Sequence, residues 1–240
     1  MTDRQTASRP HNHLLATLSA SDFKLVQPAL VEVAFPTRFE LEAVGKAVKH
    51  IFFPLTGLAS VVVTSGRQEI EAGIIGYEGM TGISVVMAND LSPNHCYGQV
   101  AGTSLRMTAD ELRDAMGQSA TLQNFLLHFA QAFMIQTAHT ALANGRASID
   151  ERLARWLLMA HDRMAGDEVP LTHDFLGVML GVRRAGVTEA VQKLEDRALI
   201  VAGRGKIVII GRAGLLEVAN GFYGVPEAGY RRLTGWQSLH

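Results

Sequence analysis

A single cysteine, Cys96, stands in 240 residues. One thiol excludes an internal disulfide framework and any zinc or iron–sulfur centre held by cysteines alone. An excess of charge is missing too: 22 Lys and Arg against 23 Asp and Glu leave a formal net charge of -1, so the chain as a whole is no strongly basic polyanion binder. No uninterrupted apolar run approaches the length that spans a bilayer. The opening MTDRQTASRPHNH is polar and lacks the apolar core of a secretory signal. These absences lead to the expectation of a soluble, cytoplasmic protein without a membrane partner.

What is present is a globular composition, 48% hydrophobic and 19% charged, long enough for one large domain or two small ones. The charge is unevenly spread. Residues 1–150 carry a net of -3, residues 151–240 a net of +2, and residues 171–212 alone a net of +3. The sign points to the C-terminal part as the one that meets a polyanion.

The first dozen residues read as a disordered arm, and LLATLSASDF (14–23) as short helices. From Leu30 the pattern changes to short β-rich runs broken by Gly and Pro turns, among them HIFFPLTGLASVVVTSG and EIEAGIIGYEGMTGISVV. That punctuation over about residues 28–108 predicts an antiparallel sandwich or barrel. Thr108 reads as the N-cap of the next helix, with acids in its first turn. ATLQNFLLHFAQAFMIQTAHTALA is then a long helix, closed at Asn144-Gly145. Its seam runs through Leu122, Phe125, Phe129 and Ala132, and a second apolar set through Leu126, Ala130, Phe133 and Met134. A helix apolar on two sides must be buried on two sides, either within one domain or against the same helix of a second subunit. Ser148 and Glu151 have capping-box spacing, so a new helix starts there, with a domain boundary near residue 146.

LTHDFLGVMLGVRRAGVTEAVQKLEDRALI (171–200) carries the chemistry. Thr172 is the expected N-cap of a short helix with Phe175, Leu176, Met179 and Leu180 inward. Gly181 makes the turn, and a second helix follows from about Arg183 to Arg197. Short helix, glycine turn and second helix form a helix-turn-helix, whose second helix enters the major groove of DNA. ALIVAGRGKIVIIG then reads as a two-stranded wing with Arg204 and Lys206 at its tip, suited to phosphate contact.

These residues resemble the cyclic-AMP receptor and fumarate–nitrate regulator (CRP/FNR) superfamily of bacterial transcription factors, over about residues 14–219. The strongest element is the 171–200 stretch; HIFFPLTGLAS and GYEGMTG resemble the superfamily's β-roll, and residues 120–143 its dimerisation helix. The resemblance implies an α+β chain: an N-terminal antiparallel, jelly-roll-like β-roll (14–118), a dimerisation helix (119–145), a winged helix-turn-helix (146–219) and a C-terminal tail (220–240). It implies a homodimer on an inverted-repeat operator, with double-stranded DNA and RNA polymerase as partners and dimer contacts at Leu122, Phe125, Phe129 and Ala132. Thr172, Arg183, Arg184, Gly186, Thr188, Glu189, Arg204 and Lys206 become the DNA-facing set. Arg184 is the expected guanine reader; Gly186 is expected to permit close approach to DNA.

The departures bear on the signal. Gly82 is followed by Ile83 where members that bind cyclic AMP carry Gly-Glu, and no Lys or Arg lies between Arg67 and Arg106. A buried phosphate without a cation is strongly disfavoured, so the effector and any cofactor remain unassigned. His50, His95 and Cys96 could meet as haem or metal ligands, but no spacing signature links them and no metal is expected. His128 and His139 read as packing or surface residues. A cupin-type enzyme would need clustered histidines on inner strands, whereas the His11/His13 pair lies in the arm; no catalytic residues are expected. The alternative reading is a cyclic-nucleotide-type sensor module that acts through protein partners rather than DNA.

Overall fold

The computed structural model describes residues 10–171 and 173–240. Two short helices, α1 (His13–Thr17) and α2 (Ala20–Val26), precede the strands β1 (Val31–Phe35), β2 (Glu40–Glu42), β3 (His50–Pro54), β4 (Leu58–Ser65) and β5 (Gln68–Ile75). The short α3 (Ile83–Val86) comes before β6 (His95–Val100) and β7 (Gly102–Thr108). The strands pair antiparallel in two sheets, ordered β1-β7-β3 and β2-β6-β4-β5. They form the antiparallel roll that the Gly and Pro punctuation predicts. The N-terminal arm is shorter than its polarity suggests. Asn12 is buried, caps α1, and donates to the carbonyls of Pro54 (3.0 Å) and Gly79 (2.8 Å).

The predicted Ser148/Glu151 capping box forms at α6 (Ile149–His161), and Thr108, the predicted N-cap, forms a capping box with Glu111 at α4 (Ala109–Gln118). Between them runs α5 (Ala120–Arg146), 27 residues or roughly 40 Å long. Its inner side packs on β5 and the turn after it, where two glycines let the backbone come close. A Cβ on Gly73 would lie 2.7 Å from Gln136 Oε1, and one on Gly79 would lie 2.6 Å from Phe129 Cε2.

The C-terminal half continues with β8 (Glu168–Pro170), α7 (His173–Leu180), α8 (Arg184–Asp196), β9 (Ile200–Gly203), β10 (Lys206–Ile209), α9 (Arg212–Val218) and α10 (Val225–Thr234). The wing is a three-stranded sheet ordered β8-β10-β9, one strand more than the sequence reading gives it. The tail is no appendage. Helix α10 lies along α5, and Tyr230 and Trp236 are among the largest fully buried side chains of the described residues. The two apolar sets of α5 are therefore covered within one chain, by the roll and by α10, except at Met134, which is exposed, and at the half-buried Phe125.

Beneath this packing Arg163, just past α6, pairs with Glu78 of the roll at 2.7 Å, both side chains fully buried. The guanidinium also stacks 5.5 Å from the Tyr230 ring centroid and 5.1 Å from that of Trp236. Burial works against its charge, but Glu78, together with Tyr230, Glu227 and Asp162, more than offsets that and holds Arg163 above the ordinary arginine value. A second seam lies nearby. Trp156 Nε1 on α6 donates to Glu71 Oε1 on β5 (2.7 Å), and Ser60 donates to the other carboxylate oxygen (2.5 Å). One apolar cluster spans the boundary, joining Leu58, Ile74 and Val100 of the roll to Leu157, Leu176 and Val187.

Burial pushes Glu71 up to about 7, against the lowering effect of the Ser60 and Trp156 hydrogen bonds. The folded chain thus keeps a proton that the unfolded chain releases above the ordinary value of 4.5. This contribution to stability is full below that value and is lost as pH rises through about 7. Glu71→Gln keeps the neutral form and can still accept from Trp156. Its thermal midpoint should exceed that of the parent at about pH 8 and converge with it near pH 5. An offset independent of pH would contradict this assignment.

Candidate nucleic-acid interface

The helix-turn-helix is built from the backbone outward. Val182 N–H donates to the Gly177 carbonyl (3.0 Å), and Gly181 takes φ +60°, the left-handed turn that ends α7. Arg152 on α6 reaches across and donates to the Leu180 carbonyl at 2.7 Å, satisfying a helix-end acceptor. Arg183 is the N-cap of α8, which buries Val187, Ala190, Val191 and Leu194. That inner face aims the opposite face outward: Arg183, Arg184, Ala185, Thr188, Glu189 and Gln192 are all exposed. Neither Arg183 nor Arg184 has an ion pair among the described residues. The Thr188 hydroxyl donates back to the Arg184 carbonyl (3.1 Å), which leaves its oxygen free to accept. Thr172 lies outside the described residues.

Gly186 corrects an expectation. It is half-buried, and a Cβ there would lie 3.2 Å from Ile149 Cδ1 and 3.8 Å from the Val182 side chain. The close approach it permits is between α8 and α6 inside the chain, not towards an outside polymer. The wing tip is open to solvent. Arg204 is exposed beside Gly205 (φ +75°), and Lys206 holds Glu168 at 2.6 Å with both side chains about half exposed. A pair so open to water contributes little and is readily exchanged for a phosphate.

This surface does not stand clear of the roll. A groove of about 1000 Å³ separates the first turn of α8 from the β4–β5 hairpin, with Arg183 and Arg184 on one wall and Arg67, Glu69 and Ile70 on the other. Below it the halves touch directly. Gln99 of β6 donates to the Met179 sulfur, and Arg38 covers the Phe175 ring at 4.9 Å.

The residues expected at the dimer contact lie mostly inside the chain. Leu122, Phe129 and Ala132 are buried within the chain and Phe125 is half-buried, because the roll and α10 already cover that side of α5. The face left open carries Leu127, Gln131, Met134, Ala138, Ala141 and Leu142, with Met134 58% exposed. Positions 127, 131, 134, 138 and 141 keep the alternating four- and three-residue spacing of a helix–helix seam.

The histidine and cysteine candidates do not converge. His50 is on β3, whereas His95 and Cys96 are on β6 in the other sheet. Burial pushes the Cys96 thiol well up, so it stays protonated and a poor ligand. Among the described residues, the group with metal-ligand spacing is instead His161, Asp167 and His240. There Arg212 Nη1, which can only donate, faces His161 Nδ1 at 3.1 Å, so Nε2 carries the proton shared with Asp167 at 2.9 Å. The rings of His161 and His240 stack 3.7 Å apart. A metal on Nε2 would turn an imidazole N–H towards a guanidinium, and the cluster is complete as a hydrogen-bonded one.

The family profile described as the Crp-like helix-turn-helix domain matches residues 151–218. Among solved structures, the chain is similar to FixK2 from Bradyrhizobium japonicum, with 16% identity and a TM-score of 0.69 over 79% of this chain and 96% of that one. A transcriptional regulator of the CRP/FNR family from Eubacterium rectale gives 17% identity and a TM-score of 0.67 over 85% and 96%. A CRP-family regulator from Thermus thermophilus gives 15% and 0.64 over 79% and 97%. No curated protein matches the sequence. The chain therefore carries a Crp-like helix-turn-helix domain over residues 151–218 and shares the fold of these CRP/FNR-family structures. Among the described residues, no helix is long and apolar enough to cross a membrane. Residues 219–240 lie beyond the matched profile, yet α10 and Trp236 are packed into the core. The resemblance ends before them, and only the concentration of Trp and Tyr in the tail of an aromatic-poor chain could have signalled them.

Proposed function

We propose that this chain is a transcription regulator of the CRP/FNR type that works in the cytoplasm as a homodimer on an inverted-repeat operator, and that a signal received at its β-roll controls it. The exposed, unpaired first turn of α8 carries this reading: Arg183 and Arg184 project from a helix whose inner face is fully occupied. Arg184 reads a guanine through its planar fork, Thr188 and Glu189 face the adjoining bases, and Arg183, Arg204 and Lys206 hold phosphates. The two protomers meet through the open seam of α5 at Leu127, Met134 and Ala138, so that two α8 helices face successive major grooves. Control of transcription then runs through RNA polymerase, and no catalytic step is involved.

Site selection from a random duplex library tests the reading surface. The chain should return a palindromic motif, and Arg184→Ala should lose about 1–3 kcal/mol of discrimination at one base pair of each half-site. Lys206→Ala should weaken all sequences alike. An unchanged motif with undiminished preference in Arg184→Ala would show that Arg184 reads no base. The seam is tested separately by light scattering: Met134→Lys, at an exposed position, should shift the dimer towards monomer without lowering the thermal midpoint. A dimer as stable as the parent's would place the interface elsewhere.

A further inference from the structure

A cavity of about 390 Å³ lies where α3, β6 and α5 meet, and its chemistry restricts what can enter. Val61, Ile75, Ile83 and Phe133 give it apolar walls. No Lys, Arg or His lines it, and its one charged group is the Glu42 carboxylate. Both oxygens of that carboxylate are already engaged, by Gly82 N–H (2.7 Å) and by the Ser92 hydroxyl (2.7 Å). An anion would therefore face a fixed negative charge with no counter-ion, at a desolvation cost the site does not offset. A cation fares little better, since the carboxylate is held in place by its own hydrogen bonds and the remaining walls are apolar or neutral.

Two further features favour a neutral guest. The Ser84 hydroxyl, at the cavity wall, is buried without a hydrogen-bond partner in the described structure, so a ligand that meets it relieves an unsatisfied group. The mouth is flanked by Met87 and Met134, 54% and 58% exposed, whose flexible side chains can close over an apolar surface. The volume, about 390 Å³, is near the lower end for small-molecule sites, enough for up to three rings.

We propose that this cavity takes an uncharged, mainly apolar molecule of up to three rings, held over Phe133 and hydrogen-bonded at Ser84. The inference rests on the reading that a signal enters at the β-roll, and it names the chemical class of that signal. Met134 links the two, since it borders the cavity and also stands on the open seam of α5, so that occupancy reaches the face where a second protomer docks.

A matched pair of fluorescent probes tests the class on the full chain. Phenylnaphthylamine is neutral, and anilinonaphthalene sulfonate carries nearly the same rings with an added anionic group. Phenylnaphthylamine should saturate a single site and bind at least about ten-fold more tightly than the sulfonate. Met87→Trp, which fills the mouth, should weaken phenylnaphthylamine by a similar factor. Leu91→Trp, exposed but not part of the cavity wall, should leave it unchanged. Asn94→Arg supplies the missing cation and should move the preference towards the sulfonate. Equal or tighter binding of the sulfonate by the parent overturns the proposal. So does phenylnaphthylamine binding that ignores both Met87→Trp and Asn94→Arg in variants with the parent's thermal midpoint. Operator affinity measured with saturating phenylnaphthylamine separates the two readings: a change supports both, whereas selective binding without a change upholds the ligand class and removes the cavity as the route of control.

Discussion

Arg163 and Glu78 form the joint on which the arrangement of the chain depends. The pair is fully buried, with Tyr230 and Trp236 closing over the guanidinium, and its partners come from four parts of the sequence: the turn after β5, the end of α6, α10 and the segment beyond it. A buried pair adds little net stability over apolar packing, but removing one member strands the other and costs about 3–5 kcal/mol. Its effect is therefore to hold one geometry. With Arg163 fixed, α6 is held against the roll and Trp156 meets Glu71. Arg155 donates to Thr140 of α5 (3.1 Å) and to the Phe222 carbonyl (3.0 Å), which ties the tail into the same joint. The helix-turn-helix inherits its position from α6.

That position has a functional consequence. The first turn of α8 opens onto a groove whose far wall is the β4–β5 hairpin, so the roll stands beside the residues proposed to read DNA. The seam at Glu71, whose acidity burial weakens, and the joint at Arg163 both lie between the roll and the DNA-binding half. A signal that alters the roll has short, packed routes to α8, through Gln99 to Met179 and through Glu71 to α6.

The helix-turn-helix was legible in the sequence because its determinants are local. A glycine at the turn, apolar spacing on two short helices and a basic hairpin need no distant partner to be read. The roll was legible from Gly and Pro punctuation, though not the pairing of β8 with the wing, a three-residue strand with no periodicity of its own. The intramolecular cover over Phe129 and Ala132 was not legible for a physical reason: both are as apolar as any interface, but what covers them is a helix nearly a hundred residues later, and nothing in a periodic pattern distinguishes an intramolecular cover from a second subunit. The packing of Gly186 beside Ile149 was out of reach likewise. The Arg163–Glu78 pair could not be found at all from two isolated charges separated by 85 positions.

Nearly neutral overall charge makes DNA binding by this chain a matter of local charge, carried by few residues. If Arg183, Arg204 and Lys206 of each protomer hold phosphates, a dimer makes roughly six such contacts, and affinity should fall about a thousand-fold between 50 and 200 mM salt. Fluorescence anisotropy of a labelled duplex, titrated with the full chain across that range, measures this directly. The account predicts a linear dependence of log Kd on log salt with a steep slope. Absence of binding at 50 mM salt, or an affinity indifferent to salt, would contradict it and favour a sensor that works through protein partners.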